Sequence, residues 1–442
     1  MSGPLVFERV GDRVARAATG LAPVRSGRVS RVVGLGFDVA GLDLPIGAYV
    51  DVDCGPSKLA AEVVACSSGS VTCLPFGTVR GLCVGAIVTP SRRGPTVPVG
   101  TALLGRIVDA FGRPIDDGPP LDGVVDVEIS GEPPHPLRRE RVVERLSLGV
   151  RAWDSMAPMG RGQRVGVFAG SGVGKSTLMG MVARGAQSDV NVVALIGERG
   201  REIREFVEEE LGEEGLARSV VVVATSDAPA LVRLRAADAA TRIAEWFRDR
   251  GSDVMLMMDS ITRYCMAQRE IGLAAGEPPT SRGYPPSVFT MLPRLLERAG
   301  TSDVGSITGL YTVLVDGDDH NEPIADAVRS ILDGHVVLSR DLAHSGHYPA
   351  IDVLSSVSRV QNAVTEPVER SAASQLRSLL AAHADARDLI DIGAYVPGSN
   401  PVVDRAVALK PHVDGFLRQT VDDPTDAETS GRMLANMLGV SG

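Results

Sequence analysis

The sequence predicts an α/β chain: a parallel-sheet core around a phosphate-binding loop, with a small β-barrel before it and a helical domain after it. Three observations carry this reading. A glycine-rich segment, VGVFAGSGVGKSTLMG, lies between an apolar run and a helical pattern near the middle of the chain. Apolar runs alternate with long helical stretches on its C-terminal side. Short, glycine-broken β-rich runs occupy the region before it, and helical periodicity fills the last part of the chain.

Taken in order, residues 1–24 form an arm in which Val6, Val10 and Val14 recur at i, i+4, i+8 among Arg9, Arg13 and Arg16. That spacing predicts a short amphipathic basic helix suited to a partner or a membrane surface. Residues 25–92 carry runs such as SGRVSRVVGLG and AEVVACSSGSVTCLPF, whose Gly and Ser turns predict a barrel. No histidine or acidic cluster accompanies these strands, so the barrel reads as an assembly module. Residues 93–364 hold the phosphate-loop domain, with strands expected at Val165–Phe168, Val192–Ile196, Val220–Val223, Val254–Met258 and Leu310–Val315. Runs so continuously apolar belong to strands covered on both faces. The crossovers, Arg233–Arg250 among them, are long enough for βαβ units. Residues 365–442 read as helical, from the periodicity of Val368, Ala372, Leu376, Leu379, Leu380 and His383 to a final helix after DDPTDAE.

Bulk composition narrows the function classes. The formal charge of the 442 residues is −10, which does not favour a nonspecific hold on nucleic acid. Lysine occurs only as Lys58, Lys175 and Lys410, so a lysine inside the glycine-rich loop stands out. The five cysteines, Cys54, Cys66, Cys73, Cys83 and Cys265, include no C-x-x-C pair and read as buried free thiols in a reducing compartment. No run approaches the ~20 apolar residues of a membrane span, and the N-terminus has no signal-peptide core, so a cytoplasmic protein is expected.

The chemistry concentrates at strand ends. In Ala169, Gly170, Ser171, Gly172, Val173, Gly174, Lys175, Ser176 and Thr177 the glycines let backbone N–H groups turn inward around phosphate oxygens, and the following helix adds its positive end. Lys175 is suited to β- and γ-phosphates, and Ser176 offers a hydroxyl to Mg²⁺. Ala169 departs from the pattern, where glycine is usual; a methyl is tolerable if the backbone there is ordinary. Asp259 ends the run DVMLMMDS and is placed to hold Mg²⁺ beside the loop. Glu198 ends VVALIGE and could deprotonate an attacking water. Arg201 and Glu202, by contrast, read as a solvated charged face. Tyr348 and Arg359 fall in a segment that reads as loop-rich, and pattern alone gives Arg359 no role. Together the motifs predict Mg²⁺-dependent ATP hydrolysis.

Beyond the single loop, GRIVDAFGRPID, AGSGVGKST, GERGRE, DSITRY, GYPPSVFTMLPRLLERAG, DHNEPIADAVRSILDGHVVLSR and YPAIDVLSSVSR make residues 25–420 resemble the rotary and secretion ATPase family, with its RecA-like core. AGSGVGKST and DHNEPIAD are most similar to its type III export branch, above all the flagellum-specific members, with the virulence-secretion members close by. The resemblance implies a homohexamer with nucleotide at subunit interfaces. It implies Glu198 as catalytic base, Arg199 as a phosphate contact, Arg359 as a finger donated to the neighbour's γ-phosphate, and Tyr348 stacked on adenine. It also implies a regulatory partner on the N-terminal arm, a stalk protein and export cargo or chaperones at the C-terminal domain, and an export gate at the inner membrane. A rotary ATP synthase subunit, a Rho-like RNA translocase and a nonenzymatic nucleotide-binding ring subunit are the rival readings, and Glu198 argues against the last.

Overall fold

The computed structural model describes residues 25–92, 94–315 and 322–440. The predicted N-terminal arm lies outside these residues. The chain divides into two compact units, the second running from Pro95 to Gly442.

In the first unit six strands close a barrel: β1 (Gly27–Val33), β2 (Gly36–Ala40), β3 (Tyr49–Asp53), β4 (Lys58–Ser67), β5 (Ser70–Pro75) and β6 (Ile87–Pro90), in the order β1-β2-β5-β4-β3-β6. Alternation decides the inward face. Val50 and Val52 of β3 are buried, as are Val29, Phe37, Val39, Val63 and Val71 across the barrel. Gly69, at φ 76, makes the tight reversal between Ser67 and Ser70 that a residue with Cβ would strain. All five cysteines are free, but only Cys73 and Cys265 are buried. The expectation of buried thiols therefore fails for Cys66, near the β4–β5 turn, and Cys83, in the connection from β5 to β6, both of which are exposed.

The second unit is a three-layer α/β body around a mostly parallel sheet. Its strands are β7 (Arg106–Asp109), β8 (Arg164–Ala169), β9 (Val190–Glu198), β10 (Ser219–Thr225), β11 (Asp253–Asp259), β12 (Ser306–Leu314), β13 (Gly334–Leu338) and β14 (Ile351–Ser358). They lie in the order β14-β13-β8-β12-β11-β9-β10-β7, and a short pair of residues, Gly300–Thr301, joins β12 antiparallel. β14 runs antiparallel to β13; the other neighbours on this path are parallel. Side chains of β9 alternate between two cores, with Val193 and Leu195 on one face and Val192, Ala194 and Ile196 on the other. Burial on both faces is why the sequence shows unbroken apolar runs there.

The helices that matter to the site are α1 (Lys175–Gly185), α2 (Ala230–Arg248) and α3 (Ile261–Ala274). The C-terminal helices are α4 (Pro367–Asp391), α5 (Pro401–Leu417) and α6 (Ala427–Leu438). A capping box between Glu366 and Glu369 starts α4, Asn400 caps α5, and Asp426 caps α6. Leu376, Leu379, Phe416 and Leu434 from these helices share one apolar core with Trp153, Leu338 and Ile351. An ion pair of 2.6 Å between Arg145 and Glu369 adds to that seam.

Tyr348 and Arg359 do not lie in an extended loop. They bracket β14, an edge strand whose Asp352, Ser355, Ser356 and Ser358 obscure alternation in the sequence. Ser356 Oγ donates to the Asp352 carbonyl and accepts from Val337 N–H, so a side chain replaces part of the ladder at the register irregularity.

Candidate active site

The parallel order brings the C-terminal ends of β8, β9 and β11 to one edge of the sheet, where open α/β sheets bind ligands. A cavity of about 890 Å³ opens there, walled by the glycine-rich loop, Glu198, Arg199, Glu202, Arg263, Tyr348, Gln419 and Val421 among others.

Ala169 is the last residue of β8 and is buried in register with Leu314. Its strand backbone explains why alanine is accepted where the motif usually has glycine. Gly172 and Gly174 adopt φ of 76° and 84°, and a Cβ on Gly174 would come 3.3 Å from the Tyr348 ring. Both glycines are thus required by the turn, and α1 begins at Lys175 with its free N–H groups at the cavity edge. Ser171 and Ser176 are exposed to the cavity. Val173 differs from the rest of the loop. Its side chain is buried in the core, so it can offer only its backbone to a ligand. Thr177 directs its hydroxyl to Glu210 Oε1 at 2.6 Å, on a π-helical turn spanning Phe206–Leu211.

Lys175 Nζ lies 2.5 Å from Asp259 Oδ1 and 3.5 Å from Glu198 Oε1. Burial works against its charge, but the two carboxylates outweigh burial and hold the ammonium above its usual pKa. Asp259 Oδ1 also accepts from Thr312 Oγ1 at 2.7 Å, which anchors the carboxylate to the neighbouring strand β12.

Glu198 owes its aim to a bulge. Between Ile196 and Glu198 the register against β10 slips at Gly197, whose φ is 73°. A Cβ there would meet the Arg263 side chain at 2.9 Å, so glycine both turns the chain and makes room. Burial, then the negative charge of Asp259, push the Glu198 carboxyl up to about 7; Lys175 partly offsets this, and a hydrogen bond with Glu202 adds to the rise. The shift leaves a carboxyl able to take a proton near neutral pH.

Glu202 and Arg263 are among the wall residues that escaped the sequence reading. Glu202 is no solvated face: it shares a hydrogen bond with Glu198 and accepts from Arg199 Nη1 at 2.8 Å. Arg263, in the first turn of α3, lines the cavity with a buried Nε that has no hydrogen-bond partner. Four-residue spacing after Glu198 and the DSITRY segment were the available signals. Arg201 stays exposed on the surface, as expected. Arg199 stands at the N-cap position of the short helix Gly200–Glu205, without a side-chain capping bond, and is largely exposed on the cavity rim. Arg359 lies elsewhere. It follows β14, its guanidinium reaches the Arg329 carbonyl at 3.3 Å, and it is not part of the cavity wall.

Comparison with known proteins agrees with this geometry. Residues 149–358 match the ATP synthase alpha/beta family nucleotide-binding domain, and residues 365–436 match the C-terminal domain of the type III secretion ATPase EscN. The flagellum-specific ATP synthase of Bacillus subtilis is 50% identical, over 94% of this chain and 95% of its own. The chain belongs to the type III export ATPases. A type 3 secretion system ATPase from Xanthomonas euvesicatoria is 48% identical to this export ATPase over 98% of both chains. The structure of assembled EscN from enteropathogenic E. coli superposes with a TM-score of 0.89 at 44% identity, covering 93% of this chain and 100% of that one. The export ATPase accordingly has the barrel, parallel-sheet core and C-terminal helices expected from its sequence, and it is a nucleotide-binding hydrolase of type III export.

Proposed function

We propose that this ATPase hydrolyses Mg²⁺-ATP in the β8–β9–β11 cavity to energise export of flagellar proteins. The observation that carries the reading is the contact of Lys175 with both Asp259 and Glu198 at the strand ends. The glycine-rich loop and α1 would hold the phosphates, with Lys175 against the β- and γ-oxygens. Glu198 would accept the proton of the attacking water, and Arg199 would contact phosphate from the rim. Tyr348, half-exposed over Gly174, would stack on the base.

The donor set fits magnesium. Ser176 offers one hydroxyl and Asp259 one carboxylate, and no group of three or more His, Cys, Asp or Glu that could hold a metal occurs among the described residues. Mg²⁺ suits such a site, since it is bound through one or two carboxylates together with substrate phosphates. When bound it would neutralise charge on the transferring phosphoryl group.

The exclusion of Arg359 from its own chain's cavity wall supports donation to a neighbouring copy, and so a homohexamer. EscN has been seen assembled, and in complex with its central stalk EscO, which supports a stalk partner here, and the C-terminal helices would be its seat. Cargo or chaperones at those helices, a regulatory partner on the arm, and peripheral association with an inner-membrane export gate complete the proposal. Among the described residues no helix is long and apolar enough to cross a membrane. Replacing the chromosomal gene by a Glu198→Gln allele tests the whole reading. Few or no external filaments with unimpaired ATP synthesis are expected. Normal filaments with lost virulence-type secretion would move the cargo assignment to the other export class.

A further inference from the structure

The far end of the cavity is not built by the phosphate-loop segment. Gln419 and Val421, which line it together with Tyr348 and Pro349, belong to the segment that connects α5 to α6. That segment hangs on one buried cation. The Arg151 side chain is about one tenth exposed, and its guanidinium donates from Nε to the Phe416 carbonyl at 3.2 Å and from Nη2 to the Arg418 carbonyl at 2.7 Å. From Nη1 it reaches Asp423 Oδ2 at 2.7 Å and Thr425 Oγ1 at 3.1 Å. These contacts bracket the wall residues on both sides.

Gln419 completes the fastening. Its Oε1 accepts from the Arg151 backbone N–H at 2.8 Å, and its Nε2 donates to the carbonyls of Gly149 and Asp423. Its own N–H donates to the Tyr348 carbonyl at 3.0 Å, so the two sides of the slot are tied to each other. With its amide engaged in this way, Gln419 acts as a brace rather than as a reader of the base edge. The segment that carries Gln419 and Val421 is therefore held against Tyr348 by a network centred on Arg151.

We infer that Arg151 is a positioning residue for the nucleotide base: it fixes the width of the base slot and so governs nucleotide affinity without touching the nucleotide. A planar guanidinium with five donors can bind two carbonyls, a carboxylate and a hydroxyl at once, which a lysine cannot reproduce. The inference rests on the proposed placement of ATP with its base at Tyr348. It separates two parts of the substrate. The phosphates are held by the loop and Lys175, which Arg151 does not contact, so a ligand that lacks a base is indifferent to the network.

The experiment compares ATP with inorganic triphosphate, each with Mg²⁺, on the assembled full-length protein. KM for ATP comes from steady-state hydrolysis, and the inhibition constant of triphosphate from competition with ATP. Arg151→Gln, and Asp423→Asn as a milder variant that leaves the buried cation in place, are measured beside Tyr348→Ala. Arg151→Gln is expected to raise KM for ATP about tenfold, equivalent to about 1.4 kcal/mol, with kcat changed by less than about threefold. Asp423→Asn should give a smaller rise in the same direction, and Arg151→Lys should restore little of the loss. The triphosphate constant should stay at the wild-type value in all of them. An unchanged KM for ATP in both Arg151→Gln and Asp423→Asn, while Tyr348→Ala raises it, overturns the role of Arg151 alone. An unchanged KM in Tyr348→Ala overturns the base placement and the inference with it. A triphosphate constant that rises in step with KM for ATP shows general damage to the cavity and also overturns the inference.

Discussion

The protonation of Glu198 gives the sharpest test of the proposed chemistry. Its carboxyl is pushed up to about 7 by burial and by Asp259, with Glu202 contributing a hydrogen bond and a like charge. A general base works only when ionised, so kcat/KM must rise with pH through this value. With the midpoint at about 7, roughly half of the chains carry an ionised Glu198 at pH 7, about a tenth at pH 6 and about nine tenths at pH 8. The expected fall in kcat/KM between pH 7 and pH 6 is therefore about fivefold. Replacing Glu202 by Gln removes a negative neighbour and weakens the hydrogen bond that favours the neutral acid. Both changes lower the Glu198 pKa, so the rising limb should move to more acid pH and the ratio of rates at pH 8 and pH 6 should shrink. Phosphate release at low ATP, saturating magnesium and constant ionic strength reads both profiles. A wild-type profile flat from pH 6 to pH 8 would refute the argument, as would a shift of the Glu202→Gln limb to more alkaline pH.

The other expectations are simpler to state. Lys175→Ala should lose tight Mg²⁺-ATP binding by titration calorimetry. Glu198→Gln should bind within a few-fold of wild type while kcat falls about 10²–10⁴-fold. Arg359→Ala should bind ATP yet hydrolyse it about 10³–10⁵-fold more slowly. Mixing Arg359→Ala with Lys175→Ala chains should recover activity above either parent, because a mixed interface pairs an intact loop with an intact finger; mixed rings with no recovery would end the trans assignment. Away from the site, Arg298 pairs with Glu245 at 2.7 Å with both side chains almost fully buried. Arg298→Ala leaves that carboxylate only the partly buried Arg242, at 3.1 Å, so the loss in chemical denaturation should stay below the about 3–5 kcal/mol of a fully broken buried pair.

How much of this was legible in the sequence follows from how local each signal is. The phosphate loop, the Asp259 and Glu198 strand ends and the central strands are written in contiguous residues, because a strand buried on both faces must be apolar throughout. β14 was hidden by its serines, which break the expected alternation and of which Ser356 hydrogen-bonds to the strand's own backbone. Glu202 was hidden for another reason. Among the charges of GREIREFVEEE nothing marks the one that turns back to Glu198; only the helix starting at Gly200, entered from the Gly197 bulge, selects it. The proposed base slot was half visible: Tyr348 came with the family resemblance, whereas Gln419 and Val421 lie about 240 residues from the loop with which they share the cavity, a separation only the fold closes.

The scarcity of lysine sharpens the reading of the one in the loop. Arg151, Arg164 and Arg298 occupy buried or half-buried positions where a planar fork meets several fixed acceptors. Lys175 faces a different demand. Its neighbours, Asp259 at 2.5 Å and Glu198 at 3.5 Å, sit on adjacent strands and approach from different directions. A guanidinium can also serve two carboxylates, as Arg164 does for Glu297 and Asp333, but its donors lie in the fixed directions of one plane. A compact ammonium has three rotatable donors, so it can serve both carboxylates and still turn one N–H toward the phosphate oxygens that the loop is shaped to hold. In a chain that uses arginine almost everywhere else, the loop keeps a lysine, whose donors can turn where those of a planar fork are fixed.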